Sequence, residues 1–210
     1  MSYPETGTEA LLRSYIQFAP NVHFVFSGSK RHLMSHIFYS PDRPFCQSTV
    51  SMRLEPLHEE IYYEFARSFF EKKKGSFSQE MFCYIYNTLD GVTRNIQLVL
   101  NRLYETEKNV NRKEEAEEAI RHIVNRNSMQ YEEFLGFLTD NQMSVVKAIA
   151  QEGRVASPQS NEFIKQYSLP SGSSVKTAID KLIDRDIIYH TKNGYVVYDH
   201  FFAMWLKSLL

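Results

Sequence analysis

The feature that most constrains the fold is a predicted β-hairpin near the end of the chain. Two short β-rich segments, residues 187–191 and 195–198, are separated by Lys192-Asn193-Gly194. Asn-Gly between two such segments is the strongest short-range hairpin signal, because a tight turn needs residues that adopt positive φ with little strain. Any fold proposed for this region must therefore contain a two-stranded hairpin.

Three helices are predicted directly before this hairpin. Thr139 begins a capping box for the first helix, and Ser157, followed by a proline, places a cap and a first-turn proline before the second. Ser171 or Ser173 opens the third helix, whose apolar residues recur at helical spacing: Val175, Ala178, Ile179, Leu182 and Ile183. Three helices followed by a hairpin predict a winged helix over residues 138–210, with Asp199 capping a last helix.

Residues 55–137 are predicted to form a small helical bundle. Apolar and aromatic residues recur at helical spacing in three segments, about 59–73, 79–88 and 92–105, and a fourth helix is expected over 119–126. The charged run 108–118 is interpreted as a solvated face. Short helices joined by short turns are typical of a bundle.

Residues 1–54 alternate helix and strand signals. A helix capped by Thr8 is expected at about 9–18, a strand at 22–26, a second helix at 31–38, and a second strand at 50–54. This order is typical of α/β architecture, but the region is too short for a doubly wound domain, and at least one sheet neighbour is missing on the N-terminal side. The fold class predicted for the chain is mainly α with small β.

Composition and charge exclude several classes of protein. The 210 residues carry a formal net charge of −1, so no overall basic field indicates a nucleic-acid binder. Cys46 and Cys83 are too few and too far apart for a disulfide framework or a zinc motif, which favours a reducing, cytoplasmic location. No apolar run reaches membrane-spanning length, and no signal-peptide pattern is present, so we expect no membrane partner.

The motifs that cradle phosphates and hold metal ions are absent from the sequence. There is no Gly-x-x-x-x-Gly-Lys-Ser/Thr phosphate loop and no apolar strand ending in an Asp-Glu pair. His32 and His36 are one helical turn apart, but a third ligand and the intervening glutamate of a zinc motif are lacking. We therefore expect no metal site within this chain.

The predicted winged helix offers candidate DNA contacts in its third helix and its hairpin. These are Lys176, Lys181 and Lys192. Residues 139–210 contain eight Lys and Arg against seven Asp and Glu, and Asp180 lies between the two helix lysines. A dedicated DNA reader presents a basic face, so contact with double-stranded DNA and packing on another protein both stay open.

The order of these regions resembles a known protein family. FVFSGSKRHLMSHIFYSPDRPF, EEIYYEFA, SQEMFCYIYNTLDGVTRNIQLVLNRL and the winged helix follow one another as in the C-terminal part of archaeal-type P-loop ATPases. These belong to the AAA+ and STAND group and are related to the origin-recognition ATPases. The resemblance implies three regions: the C-terminal part of a P-loop α/β core over 1–54, a helical lid over 55–137, and the winged helix over 138–210.

The resemblance also implies roles for particular residues. The segment 22–26 corresponds to the sensor 1 strand, so Ser27, with Ser29 as second choice, would face the γ-phosphate and attacking water; a plain capping turn is the alternative. Arg43 would be directed at a phosphate, with Arg31 as a weaker choice and a loop pair with Asp42 as the alternative. Arg94 would be the sensor 2 arginine of the lid helix; an ordinary solvated helix residue is the alternative.

The function implied is that of a nucleotide-dependent switch. The complete protein would bind ATP and Mg²⁺, whereas the chain alone, without phosphate loop and metal carboxylates, is expected to bind neither and not to hydrolyse ATP. Its partners would be the missing N-terminal ATPase core or another protein, and an oligomer is compatible with this reading. Two alternatives from other classes stay open: a stand-alone winged-helix DNA-binding transcriptional regulator, and a scaffolding module.

Overall fold

The computed structural model describes residues 7–28 and 31–209, and the chain divides into two compact units, Met1–Glu55 and Pro56–Leu210. The described residues form eleven helices and four short strands. The strands pair into two small two-stranded sheets, one parallel and one antiparallel. The prediction of a mainly helical fold with small β elements is confirmed.

The first unit is built on two helices, α1 (Thr8–Gln17) and α2 (Arg31–Tyr39). The N-cap of α1 is Gly7, which has a φ of 112°, and not Thr8 as the sequence suggested. Three aromatic rings pack together, with centroids 5.2–5.6 Å apart: Phe26, Phe38 and Phe45. This small aromatic cluster joins the extended segment before α2, α2 itself and the loop that follows it.

The two strands predicted in this unit are not formed. Residues 22–28 and 51–58 have neither helical nor strand structure, although 22–26 and 50–54 have β-type sequences. Their apolar side chains are left in solvent: Val25 is 91% exposed, Val50 is 99% exposed and Met52 is 85% exposed. A strand needs a neighbouring backbone to pair with, and the described residues of this unit provide none for these segments.

The second unit begins with a helical bundle. Its helices are α3 (Glu59–Lys72), α4 (Gln79–Thr88), α5 (Thr93–Thr106), α6 (Lys113–Arg126) and α7 (Ser128–Leu135). Two short strands, β1 (Ser76–Phe77) and β2 (Asn109–Val110), pair in parallel and hold the segment before α4 against the segment after α5. The sequence did not predict either strand.

Local signals explain most of these helices. The Ser78 hydroxyl caps α4 by accepting from the Met81 amide, and α5 buries Ile96, Val99 and Leu103 at helical spacing. α6 begins at Lys113 and not at about residue 119, so part of the charged run 108–118 forms the first turns of this helix, and most of its charged side chains are exposed. Its helix start is stabilised by the Glu115 carboxylate, which accepts from the backbone of Asn111 and Arg112 (2.9 and 3.1 Å).

The rest of the second unit is a winged helix. It consists of α8 (Asp140–Glu152), α9 (Asn161–Gln166), α10 (Gly172–Asp184), β3 (Ile188–Thr191), β4 (Gly194–Val197) and α11 (His200–Ser208). The predicted capping box at Thr139 and the caps at Ser171 and Asp199 are confirmed. The second helix is capped by Ser160 and not by Ser157, so it begins three residues later than predicted.

The hairpin is the wing, and it is tied to the loop after α8. β3 and β4 are antiparallel, with Ile188 opposite Val197 and Thr191 opposite Gly194. Val155 adds a further bridge: its amide donates to the Tyr195 carbonyl at 3.0 Å, and the Tyr195 amide donates back at 2.8 Å. The wing is thereby fixed on both edges of β4.

The last helix joins the winged helix to the bundle. Four of its residues are buried: Phe201, Phe202, Trp205 and Leu206. It packs against α8 within the winged helix and against α6 and α7 of the bundle. One continuous hydrophobic core consequently runs through the whole second unit.

Candidate functional site

Ser27 lies at the end of the extended segment 22–28, and its side chain is exposed. It borders an open groove of about 410 Å³ in the first unit, whose other lining residues are Glu9, Leu12, Val25, Phe26, Met34, Ile37, Phe38 and Phe45. Ser29 lies outside the described residues, and so does the side chain of Arg31. A hydroxyl at the rim of a groove can donate to a ligand oxygen, but one hydroxyl does not make a phosphate site.

Arg43 is paired with a residue of α1. Its Nη1 atom donates to Glu9 Oε1 at 3.2 Å, and both side chains are about one third exposed (36% and 30%). Among the described residues, Arg43 Nε and Glu9 Oε2 are buried without a hydrogen-bond partner. The alternative pairing with Asp42 is therefore not the one formed, and Arg43 would have to leave Glu9 before it could bind a phosphate.

Two of the predicted residues, Ser27 and Arg43, are connected through this groove. Glu9 and Ser27 both line it, so the hydroxyl of Ser27 and the pair formed by Glu9 and Arg43 belong to one face of the first unit. A guanidinium suits phosphate oxygens because of its planar set of donors. In the described structure that group is neutralised by a carboxylate, which makes the site incomplete as an anion site.

Arg94 is the second residue of α5, in the second unit, and its side chain is exposed. It follows a tight turn in which Asp90 and Gly91 both have positive φ (48° and 68°). A Cβ at position 91 would lie 2.9 Å from the Tyr86 hydroxyl, so glycine is required by the close approach as well as by the backbone angle. This turn fixes where α5 begins and where Arg94 stands.

Across from this turn lies the first turn of α11. The His200 imidazole Nε2 lies 3.2 Å from Asp90 Oδ2, in a contact between residues 110 positions apart in sequence. The Asp199 carboxylate caps α11 by accepting from the Phe201 and Phe202 amides at 2.9 and 3.2 Å. We call Asp90, Asp199 and His200, together with Arg94 and Tyr131, the seam between the bundle and α11.

Tyr131 of α7 completes the seam. Its ring packs on Phe202 and Trp205, with centroids 5.3 and 5.6 Å apart. Burial, reinforced by the Asp199 carboxylate, raises the pKa of the Tyr131 hydroxyl to about 12, while Asn127 and the positive charge of Arg94 act in the opposite direction. Arg94 and Asp199 are thus both within electrostatic range of the same hydroxyl.

Sequence reasoning missed this seam. Asp199 was predicted only as a helix cap, and neither Asp90 nor His200 was considered beyond local turn chemistry. The one available signal was Asp90-Gly91 directly before Arg94, which marks a sharp turn at the start of a helix. Nothing in a single sequence indicates that a histidine 110 residues later contacts that turn.

An open cleft of about 370 Å³ adjoins the seam. Asp90 and Thr88 line it from the bundle, and the rest of its wall comes from the winged helix: Ala150, Glu152, Gly153, Arg154, Val196, Val197, His200, Ala203, Met204 and Lys207. Both signs of charge are present, and the Glu152 carboxylate accepts from Gln166 and Tyr167 (2.7 and 2.5 Å). The cleft is therefore an open boundary between bundle and winged helix whose wall combines charged and apolar side chains.

The predicted DNA-contacting lysines are all on the winged helix. Lys176 and Lys181 are exposed on α10, and Lys192 is exposed at the tip of the wing. Lys181 Nζ lies 3.7 Å from Asp184 Oδ2. Asp180 and Asp184 are four residues apart, one helical turn, and both are exposed on α10. The exposed face of the third helix therefore carries acidic and basic groups in equal number.

The described residues include no cluster of side chains suited to hold a metal ion. Within 7–28 and 31–209 there is no group of three or more His, Cys, Asp or Glu side chains placed to hold a metal ion. The sequence has no phosphate loop. Of the predicted phosphate-site residues that the structure describes, Ser27 and Arg43 belong to the first unit, where Arg43 is already paired, and Arg94 belongs to the second.

Comparisons with known proteins agree with the fold. A family model described as "Probable winged helix domain" matches residues 129–208, which include α7 as well as the winged helix itself. A solved Walker-type ATPase of Pyrococcus abyssi has a similar structure, with a TM-score of 0.66 and 15% sequence identity. The similarity covers 95% of this chain and 57% of that chain, so this chain spans little more than half of the ATPase. No curated protein matches the sequence.

These findings show a winged helix and a fold similar to part of a Walker-type ATPase. At 15% identity the similarity concerns architecture and carries no residue roles. Among the helices in the described part of the chain, none has both the length and the apolarity needed to span a bilayer.

Proposed function

We propose that this chain is the C-terminal portion of an AAA+/STAND-type ATP-binding protein that acts as a nucleotide-dependent switch. In this proposal the first unit completes the α/β core, the helical bundle is the lid, and the winged helix contacts DNA or protein. The main support is that 95% of the chain matches 57% of a Walker-type ATPase in fold, while its own sequence has no phosphate loop.

The unpaired β-type segments of the first unit support the same proposal. Residues 22–26 and 50–54 have the composition of buried strands, yet Val25, Val50 and Met52 are almost fully exposed. Isolated proteins seldom leave such segments in solvent, because unpaired strand edges and apolar side chains promote association. A sheet supplied by the ATP-binding core would pair with both segments and bury these side chains.

The proposed roles of the site residues follow from this arrangement. Ser27 would end a strand of the completed sheet and face the γ-phosphate, with Ser29 as second choice. Arg43 would reach a phosphate only after its pair with Glu9 separates, and Arg94 would reach one from the first turn of α5. ATP and Mg²⁺ would be bound mainly by the core that supplies the phosphate loop and metal carboxylates.

Hydrogen exchange and cross-linking test the proposal. In the isolated chain, the amides of residues 23–27 and 51–54 should exchange at the rate of an unstructured peptide, whereas those within α3–α11 should be protected. A photo-cross-linker attached through Val25→Cys or Met52→Cys, in a variant lacking the native cysteines, should capture a polypeptide segment containing Gly-x-x-x-x-Gly-Lys-Ser/Thr. Capture of proteins without that motif, or protection of both segments in the isolated chain, would contradict the missing sheet.

Phosphate release from ATP provides an independent test. The chain alone should release no more phosphate than a buffer blank, because positioning and metal binding both depend on groups it does not have. Clear activity that persists through further purification and is abolished by Arg94→Ala would show that the reading of the missing core is wrong.

DNA contact is tested by fluorescence anisotropy with a labelled generic duplex across a salt series. If the winged helix contacts phosphates, binding should fall steeply with salt, and replacing Lys176, Lys181 and Lys192 by alanine should lower the slope of log K against log [salt] by about 3. Lys207→Ala on α11, which removes one positive charge outside the third helix and the hairpin, is the control for each of the three lysine replacements made singly. No binding at low salt would assign the winged helix to protein contact, in agreement with the mixed charge of α10.

A further inference from the structure

We propose that His200 is a positioning residue for Arg94: its contact with Asp90 holds the turn that begins α5, so that the docked winged helix sets the place of Arg94. This inference rests on the proposed function for the role of Arg94, but the positioning itself is a property of this chain. It identifies His200 and Asp90, which the sequence analysis did not assign to any role.

The first observation is the backbone conformation of the turn before α5, residues 90–92. Asp90 is a non-glycine residue with a φ of 48°, a conformation that persists only where surrounding contacts hold it. The Gly91 amide donates to the Tyr86 carbonyl at 2.9 Å and the Val92 amide donates to the Leu89 carbonyl at 2.9 Å. These bonds fix the backbone of the turn, and the Asp90 carboxylate contacts α11 through His200.

The second observation is the environment of the His200 side chain. Its side chain is only 13% exposed, and its Nδ1 atom is buried without a hydrogen-bond partner among the described residues. The Asp90 carboxylate, 3.2 Å from Nε2, is thus the polar partner that the ring has. Separation would leave the His200 ring nitrogen unpaired in a mostly buried place, which is costly, whereas the Asp90 carboxylate, whose side chain is 58% exposed, would be solvated by water.

The third observation is the position of Arg94 relative to Asp90 and Tyr131. Arg94 is four residues after Asp90 and its charge acts on the Tyr131 hydroxyl, as does the carboxylate of Asp199, the residue before His200. The Asp90 end of the 90–94 segment therefore contacts the first turn of α11, and the Arg94 end lies near Tyr131 of α7, whose hydroxyl is also near Asp199. Movement of α11 would separate Asp90 from His200 and remove the negative charge of Asp199 from the surroundings of Arg94.

A coupling between ligand and winged helix follows from this geometry. An anion that attracts Arg94 draws its charge away from the Tyr131 hydroxyl and the nearby Asp199 carboxylate, and a winged helix that leaves the bundle removes that carboxylate from the surroundings of Arg94. Such coupling is reciprocal, so anything that displaces α11 also changes the affinity for a phosphate-bearing ligand. His200 would act on that affinity without touching the ligand.

Hydrogen exchange of the full chain tests the positioning. His200→Ala should raise the exchange rate of the Gly91 and Val92 amides by about tenfold, the scale set by loss of one charge-assisted hydrogen bond. Asp90→Ala should do the same, and the double variant should add little to either single change. His200→Gln, which keeps a donor, should restore most of the protection.

Met204→Ala is the matched control. Met204 lies on the same helix and packs against the hydrophobic core, whereas the hydrogen bond to Asp90 is made by His200. If Met204→Ala loosens the Gly91 and Val92 amides as much as His200→Ala does, the effect is general loosening of α11 and the inference is wrong. Additive effects of Asp90→Ala and His200→Ala would overturn it as well.

Sodium tripolyphosphate separates this inference from the proposed function. In the wild-type chain it should increase exchange in α11, and Arg94→Ala should abolish that response. If tripolyphosphate has no effect while His200→Ala still loosens residues 91 and 92, the positioning stands and the phosphate role of Arg94 fails. If tripolyphosphate acts through Arg94 but His200→Ala leaves the turn unchanged, His200 is not the positioning residue.

Discussion

Replacing Gly194 by alanine should dislodge the wing. Gly194 begins β4 with a φ of 127°, a region that residues with a side chain rarely adopt. A Cβ built at this position would lie 2.5 Å from the Val155 carbonyl oxygen and 2.6 Å from the carbonyl carbon. Both contacts are with backbone, so no side chain can rotate away to relieve them.

The magnitude can be worked from two contributions. A non-glycine residue in such a conformation costs about 1–3 kcal/mol. Moving Val155 aside also breaks the two hydrogen bonds it shares with Tyr195, at about 1 kcal/mol each. Since partial relaxation relieves some strain as those bonds lengthen, we expect the free energy of unfolding to fall by about 3 kcal/mol.

Urea unfolding followed by tryptophan fluorescence measures this loss, because the single tryptophan, Trp205, is buried in the adjoining α11. Gly172→Ala is the control, since a Cβ there would meet only ordinary contacts at 3.7 and 3.8 Å in the first residue of α10. That variant should be unchanged or more stable by up to about 1 kcal/mol. If Gly194→Ala unfolds within about 0.5 kcal/mol of wild type, the close approach of Val155 is not a constraint and the reasoning fails.

Three further changes test other parts of the second unit. Asp199→Ala removes the cap of α11 and should lower stability by about 1–2 kcal/mol in thermal unfolding, whereas Asn at this position should recover most of it. Tyr131→Phe should flatten the alkaline loss of stability. Because the folded pKa of about 12 lies above the unfolded value of about 10, Tyr131 makes the wild type lose stability as the pH rises through this range, by roughly 1 kcal/mol after allowance for solvent screening. The Phe variant should lose less by that amount, and urea unfolding at pH 9 and 11.5 measures the difference. Cys83 donates to Glu59 Oε1 at 2.5 Å, and this hydrogen bond, with burial, raises its pKa to about 11. In a Cys46→Ser variant, the Cys83 thiol should react with iodoacetamide at pH 8 roughly a hundredfold more slowly than a free thiol. Glu59→Gln should speed the reaction. A rate equal to that of a free peptide thiol would contradict the hydrogen bond between Cys83 and Glu59.

Much of the second unit could be predicted from local sequence. The capping box at Thr139, the cap at Asp199 and the Asn193-Gly194 hairpin signal were all found where expected. These features depend on residues within a few positions of one another, so their physical chemistry is contained in a short segment. The apolar spacing of α5 and α10 is local in the same sense and defines the buried face of each helix.

The candidate site depended on contacts that no local pattern contains. Arg43 pairs with Glu9 and not with the neighbouring Asp42, and Asp90 meets His200 across 110 residues. Only the packing of one helix on another brings such groups together. The roles of Ser27, Ser29, Arg43, Arg94 and the three lysines stay predictions.

The two β-type segments show most clearly which features are local to the sequence and which depend on tertiary contacts. The sequence by itself determined that residues 22–26 and 50–54 favour extended backbone and apolar burial. Whether they become strands was decided by tertiary structure, because a strand's hydrogen bonds are made to another segment of backbone and never within itself. The described chain supplies helices that satisfy their own backbone, and it leaves these two segments without a neighbour.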